Sequence, residues 1–326
     1  MIEIRQLVKR YGAKTAVDGL DFTVESGVVT GFLGPNGAGK STTMRLIVGL
    51  DAPTSGSATV NGARYVEHRA PLQEMGTLLE AKSVHPGRSA YAHLRALSLT
   101  CGIPGRRVDE VLDLAGLSEV AHKRVGGFSL GMGQRLGVAT ALLGDPEVIM
   151  LDEPVNGLDP EGVVWIRNLL TGLAAEGRTV LISSHLMGEM ALTAKNLIII
   201  GRGKLLADTT VARFTAESGL EKVTVVCSDP ATLRAALLGP DVSVTGEQGS
   251  ERLEVTGLPA RAIGIAAAEQ GVAVYELTPQ TPSLEEAFMA LTEELVEYHG
   301  AGRAERNESA EHAEQTDHAE AIGRTK

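Results

Sequence analysis

The run Gly34-Pro35-Asn36-Gly37-Ala38-Gly39-Lys40-Ser41 fills every fixed position of the spacing G-x-x-x-x-G-K-[ST]. Phosphate oxygens need several short donors at once. Glycines let backbone N–H groups approach them closely, and a helix opening at the end of the run adds the positive end of its dipole. The spacing assigns Lys40 to the β- and γ-phosphates of a nucleoside triphosphate, Ser41 to Mg2+ and Thr42 to a further phosphate contact. The competing reading is a plain glycine-rich turn. Its setting argues against that, since the run follows the apolar stretch Val28–Leu33 and precedes a helical segment, Ser41–Leu50.

A second apolar stretch, Val148-Ile149-Met150-Leu151, ends in Asp152 and Glu153. At a strand end beside a phosphate loop, Asp152 is expected to hold Mg2+ and Glu153 to polarise the attacking water. Alone, the pair reads equally well as acidic turn residues. Even joined to the phosphate loop, it leaves kinases, GTPases and helicases open.

The segment Gly126-Gly127-Phe128-Ser129-Leu130-Gly131-Met132-Gly133-Gln134-Arg135 narrows the choice. It resembles the signature motif of ABC ATPases, whose commoner form reads LSGGQ. Ser129 and Gly131 occupy the family's Ser and second Gly, while Phe128, Leu130 and Met132 depart from the common letters. On residue chemistry alone, it is a serine-capped helix whose glycines form a second anion cradle. Further family marks follow in order: Tyr11, then Asn156-Gly157-Leu158-Asp159, then His185 after Thr179–Ile182. The resemblance implies that Tyr11 stacks on adenine, His185 hydrogen-bonds the γ-phosphate and Asp159 takes part in communication between subunits. Without it, Tyr11 is a strand-end aromatic, His185 a capping or core histidine, and Asp159-Pro160 a helix N-cap and first helical residue. Where most of the family has a glutamine linking Mg2+ to the membrane partner, Gly76-Thr77-Leu78-Leu79-Glu80 offers Glu80. A carboxylate keeps the acceptor oxygen but adds charge near Asp152 and Glu153, so Glu80 is expected to couple metal occupancy to the partner. The alternative is an exposed loop glutamate.

The resemblance covers residues 2–214. In the family the phosphate loop and signature segment face each other across two chains, which implies a homodimer with ATP between Lys40 of one copy and Ser129 of the other. It further implies ATP hydrolysis that drives a separate multi-span membrane permease, with this subunit cytoplasmic and peripheral on the inner face of the cell membrane. The signature letters, the Leu78-Leu79-Glu80 segment and Leu284-Glu285-Glu286-Ala287-Phe288 look like drug and peptide-antibiotic exporters of the bacterial daunorubicin and bacitracin-resistance type. The rival readings are a non-transport ABC ATPase acting on ribosomes or DNA, and another phosphate-loop enzyme such as a kinase.

The elements that must hold these residues follow from patterning. Ile2 and Ile4, then Leu20, Phe22 and Val24, alternate with polar residues like half-exposed antiparallel strands. The runs Val148–Leu151 and Thr179–Ile182 flank a helix in which Trp165, Leu169 and Leu173 share one face, a βαβ unit. Between the phosphate loop and this unit lies a helix-rich region, Tyr91–Leu143, broken at Gly102, Pro104 and Gly105. After Phe214 the order is strand Lys222–Cys227, helix Ala231–Leu238, strands Val242–Thr245 and Arg252–Thr256, helix Ala260–Gln270 and strand Val272–Leu277. That βαββαβ order is ferredoxin-like. A last helix opens with Ser283 and Glu286 at capping-box spacing. The expected class is therefore α/β: a phosphate-loop NTPase core with antiparallel β and helical subdomains over 1–214, and a small α+β domain over 215–298. A disordered acidic tail is expected over 299–326, where almost nothing is apolar.

With 326 residues and 43% apolar content, the chain can bury a proper core. No apolar run approaches the roughly 20 residues of a membrane-spanning helix, and the start lacks the pattern of a signal peptide. Cys101 and Cys227 sit in unrelated segments without metal-ligand spacing and are read as reduced thiols. A net charge of −11 argues against broad nucleic-acid binding, which depends on cationic contacts.

Overall fold

The computed structural model describes residues 1–80, 84–218, 222–240, 242–246, 249–280 and 282–292; the tail expected over 299–326 lies outside the described residues. The chain divides between Arg213 and Phe214 into two compact units. The first opens with β1 (Ile2–Tyr11), β2 (Lys14–Val24), β3 (Val29–Leu33), α1 (Lys40–Ile47), β4 (Ser55–Val60), α2 (Pro71–Glu74) and β5 (Met75–Leu78). Three helices follow, α3 (Ala90–Thr100), α4 (Arg106–Leu114) and α5 (Leu130–Leu142). The unit closes with β6 (Val148–Leu151), α6 (Pro160–Ala175), β7 (Thr179–Ser183), α7 (Met187–Thr193), β8 (Asn196–Gly201) and β9 (Lys204–Thr210), and α8 (Val211–Glu217) leads out of it.

The strands sort as their patterning dictates. β2-β1-β4 form an antiparallel sheet, with Ile2, Ile4 and Leu7 turned inward. The uniformly apolar strands enter a six-stranded sheet of order β5-β6-β7-β3-β8-β9, parallel from β5 through β8 and antiparallel at β9. All residues of β3, β6 and β7 are buried, as strands covered on both faces should be. Phe22 of β2 and Phe32 of β3 meet with ring centroids 5.7 Å apart in a core shared by the two sheets. Burying a ring such as that of Phe32 stabilises the fold by about 1.5–3 kcal/mol. β4, β5, β8 and β9 are four strands beyond those that the patterning predicts; Ser55-Gly56-Ser57-Ala58-Thr59-Val60 shows too few apolar residues to read as one.

The helix-rich region is α3, α4 and α5, broken at Cys101–Gly105 as the Gly and Pro residues predict. Ser89 and Ser129 cap α3 and α5 by accepting from Ala92 N and Met132 N. α4 buries Val108, Val111 and Leu112, an i, i+3, i+4 stripe. Its last carbonyls are answered by side chains from elsewhere: Trp165 Nε1 donates to Leu114 O at 3.0 Å and Arg135 Nη1 to Ala115 O at 3.2 Å. The Arg135 guanidinium lies 4.6 Å over the Trp165 ring. α5 runs so close to β5 that a Cβ at Gly76 would stand 1.8 Å from the Ala141 carbonyl oxygen.

The apolar face of α6 extends beyond Trp165, Leu169 and Leu173. α6 buries Gly162, Ile166, Leu170 and Leu173, whereas Trp165 and Leu169 stay half-buried at the margin. Trp165 Nε1 reaches α4 from the margin of that face.

In the second unit, β10 (Lys222–Cys227), α9 (Pro230–Leu237), β11 (Ser243–Thr245), β12 (Arg252–Thr256), α10 (Ala260–Glu269) and β13 (Val274–Gln280) form an antiparallel sheet of order β11-β12-β10-β13. This is the ferredoxin-like arrangement that the βαββαβ order requires. Val223, Val225, Leu253 and Val255 pack with Leu233, Leu237 and Ile263 in its core. The helical stretch over 284–292 is started by the expected capping box: Glu286 N donates to Ser283 Oγ at 3.1 Å and Ser283 N to Glu286 Oε2 at 2.9 Å. Among the described residues no helix is long and apolar enough to cross a membrane.

Candidate functional site

The phosphate loop lies between β3 and α1. Gly39 is the residue before α1 and has φ 107°, and a Cβ there would meet the Ala16 carbonyl oxygen at 2.6 Å, so only glycine fits. Above it opens a cavity of about 580 Å³ lined by Lys14–Ala16, Asn36–Thr42, Asp152, Glu153 and Arg202. Lys40 Nζ donates to the carbonyls of Gly34 and Pro35. Burial holds the Lys40 ammonium below its ordinary pKa, and the nearby Glu153 and Asp152 carboxylates oppose that shift.

The end of β6 is joined to this loop by a continuous hydrogen-bond chain. Ser41 Oγ donates to Asp152 Oδ2 at 3.1 Å, and Ser183 Oγ, at the end of β7, donates to Asp152 Oδ1. Ser183 Oγ also accepts from Glu153 N at 2.9 Å. Glu153 itself has φ 51°, in the left-handed region that an L residue enters at a cost of roughly 1–2 kcal/mol. Its carbonyl accepts from Gln134 Nε2 at 3.0 Å and from Asn156 N at 3.2 Å. Its carboxylate receives His185 N at 3.3 Å and faces His185 Nδ1 at 2.7 Å.

Asp152, Glu153, His185, Lys40 and Ser41 are thus brought together. Glu80 follows β5 and shares a second cavity, about 450 Å³, with Ser41, Asp152 and the half-buried His93. Tyr11 does not line the cavity over the phosphate loop; its strand partner Lys14 does. The Tyr11 hydroxyl donates to Asp51 Oδ2 at 2.9 Å, Lys9 Nζ sits 4.8 Å from its ring centre, and Arg45 pairs with Asp51 at 2.8 Å. Ser129 and Gly131 also lie outside that lining. Ser129 is exposed at the start of α5, and a Cβ on Gly131 would stand 2.9 Å from Gly157 O. Asp159 caps α6 by accepting from Gly162 N at 2.9 Å, and Pro160 takes the first helical position.

Ser183, Gln134 and Arg202 were not singled out from the sequence. Ser183 had one signal, a polar residue closing an apolar strand two positions before His185. Arg202 sits in a Gly201-Arg202-Gly203 turn where residues 202 and 203 both have positive φ, the geometry of a tight hairpin.

The residues fit a magnesium ion by the chemistry of their donors. A hydroxyl and a carboxylate converge on one edge of a phosphate cradle, which suits a hard cation that keeps waters and phosphate oxygens as its other ligands.

Comparison with known proteins agrees with this geometry. The family model described as ABC transporter matches residues 17–156, and one described as a domain of unknown function (DUF8746) matches residues 221–285. An uncharacterized ABC transporter ATP-binding protein, YhcH of Bacillus subtilis (strain 168), is 34% identical over 91% of this chain and 97% of its own length. The bacitracin transport ATP-binding protein BcrA of Bacillus licheniformis is 41% identical over 64% of this chain and 69% of its own. Among solved structures, the ATP-binding subunit of an ABC transporter superposes with a TM-score of 0.62 at 26% identity, covering 67% of this chain and 93% of that one.

Proposed function

Because the chain belongs to the ATP-binding subunits of ABC transporters and is an ATPase of that family, we propose that it works as a homodimer that clasps two ATP·Mg and drives a separate multi-span permease. The observation that carries this reading is the unbroken chain Ser41–Asp152–Ser183–Glu153–His185 beside the phosphate loop. It gathers the residue types that phosphoryl transfer to water needs beside one cavity, whose lining includes Lys40, Ser41, Asp152 and Glu153.

In this reading the backbone N–H groups of Asn36–Gly39 are donors to the phosphates, with Gly34 and Pro35 shaping the entry to the loop, and Lys40 exchanges the carbonyls of Gly34 and Pro35 for β- and γ-phosphate oxygens. Thr42 adds a phosphate contact and Tyr11 stacks on adenine with the ring face opposite Lys9. Ser41 and Asp152 hold Mg2+, which when bound supplies Lewis-acid neutralisation of phosphate charge. Glu153 accepts a proton from the attacking water. His185 faces Glu153 through Nδ1, so Nε2 is the nitrogen left for the γ-phosphate; a ring that donates to both carries both protons.

Ser129 and Gly131 stand away from this chain's own phosphate loop, as residues that close a partner's site would. Asp159 anchors the loop between the two sites. Glu80, sharing a cavity with Ser41 and Asp152, links metal occupancy to the permease. Relatives named for bacitracin and lantibiotic transport favour export of a drug or peptide antibiotic, with the subunit held on the inner face of the cell membrane by its permease.

The decisive experiment is light scattering on Glu153→Gln, which blocks hydrolysis while leaving the cradle intact. ATP and Mg2+ should convert it from monomer to dimer; a monomer at saturating nucleotide refutes the proposal. In a separate preparation with Glu153 native, Glu80→Gln should shift the Mg2+ concentration for half-maximal ATPase by at least about threefold, since one carboxylate charge beside Asp152 is removed. An unchanged Mg2+ dependence removes Glu80 from the metal site.

A further inference from the structure

Gln134 is polar, only 4% exposed, and buried in the helix that starts at Ser129. Its amide reaches out of α5 to the Glu153 carbonyl at 3.0 Å. Glu153 is also the residue whose backbone is held in the left-handed region, at φ 51°. Its N–H is fixed from β7 by Ser183 and its C=O from α5 by Gln134, with Asn156 N as the second donor to that oxygen. The direction in which the Glu153 side chain leaves the backbone follows from its backbone angles, so whatever holds the two flanking peptides sets the root from which its carboxylate reaches His185.

The same helix touches the loop after Glu153 at a second place. Gly131 lies against the Gly157 carbonyl so closely that a Cβ on it would stand 2.9 Å away, and a Cβ on Gly157 would stand 2.3 Å from Leu130 Cδ2. The first turns of α5 and the segment 153–159 are therefore packed as one piece. Ser129, which the dimer reading puts against the nucleotide of the partner's site, is five residues from Gln134 on this helix, or roughly 7.5 Å along its axis.

We propose that Gln134 is a positioning residue that ties the orientation of Glu153 in a chain's own site to the lid, Ser129, which that chain presents to the other site. This rests on the sandwich dimer proposed above. When Ser129 closes on phosphate, α5 shifts as a rigid rod; Gln134 carries the shift to the Glu153 carbonyl, and the base is aligned. Each site thereby senses whether the opposite site is filled, which gives ATP turnover a cooperative dependence on ATP.

The test is Gln134→Met, which keeps shape and burial but cannot donate, with Gln134→Ala beside it. Thermal unfolding and ATP-driven dimerisation in the Glu153→Gln background report the fold and the clasp. The expected result is a dimer formed at the same ATP concentration within twofold, a KM for ATP within twofold, a kcat lower by about five- to tenfold, the size of one lost hydrogen bond of this kind, and a Hill coefficient falling toward 1. A kcat within twofold of the native value overturns the coupling. So does a fall in kcat matched by weaker dimerisation or a raised KM, because Gln134 would then only support the helix. Should the native sequence carrying only Glu153→Gln stay monomeric with ATP, the dimer reading itself has failed; a normal dimer with normal Gln134→Met kinetics removes the coupling alone.

Discussion

Replacing Ser183 with alanine removes the node of the candidate site without touching any residue expected to meet nucleotide. Its hydroxyl is fully buried, donates to Asp152 Oδ1 and accepts from Glu153 N at 2.9 Å. Losing the first interaction removes a charge-assisted hydrogen bond worth about 1.5–3 kcal/mol, and losing the second strands a buried N–H at about 1–3 kcal/mol. The two share one oxygen and are not additive, and Ser41 still holds Asp152 Oδ2, so roughly 2–4 kcal/mol of destabilisation is expected. For a unit of this size, that lowers Tm by about 4–16 °C. Glu153 also loses one of the anchors that keep it in its strained conformation, so kcat should fall at least about tenfold, equivalent to 1.4 kcal/mol in the transition state. The assays are scanning calorimetry and steady-state phosphate release, with Ser183→Cys as a near-isosteric control expected to fall between. A Ser183→Ala protein that melts within 1 °C of native and turns over within twofold would show that the hydrogen-bond chain does not organise the base.

Asp51 offers a pH-dependent test. The Arg45 guanidinium, and after it the Tyr11 hydroxyl, holds its carboxyl below the usual carboxylate pKa, so its contribution is complete above about pH 4 and is lost as pH falls through the folded-state value. The Tm difference between native and Asp51→Asn should therefore be constant near neutrality and shrink below about pH 4, and a difference that persists undiminished at pH 3 or below contradicts the pairing. The two thiols should react unequally: Cys101 is exposed, whereas burial raises the Cys227 thiol above its ordinary pKa and its side chain is sealed in the second unit. A thiol reagent should label one cysteine per native chain within minutes and the second only on unfolding; fast labelling of both would mean that the core around Val223 and Leu253 is open.

The glycine-rich loop between β3 and α1 was legible because its demands are local. Backbone approach and helix start need glycine, lysine and serine at fixed offsets, and Gly39 shows why, since its φ and the nearby Ala16 carbonyl admit no side chain. The buried strands and the βαββαβ order were legible because periodicity is also local. What escaped reading was joined over long distances. Ser183 lies 31 residues from Asp152, and Gln134 lies 19 from Glu153. A serine closing an apolar strand and a glutamine inside a helix stand out as polar, but nothing local says which carboxylate or carbonyl they meet until tertiary packing brings them to Asp152 and Glu153. The bond from Trp165 to α4 has the same character, since its acceptor is a carbonyl 51 residues away.

Trp165 is the chain's single tryptophan. Its indole is wedged where α4 ends, beneath Arg135 of the signature helix and on the helix that Asp159 begins. Indole emission from this protein therefore comes from one seam, the joint across which the signature helix would transmit motion to the Asp159 helix. A guanidinium already lies over the chromophore, so opening or closing of that seam would register in the colour and brightness of its emission.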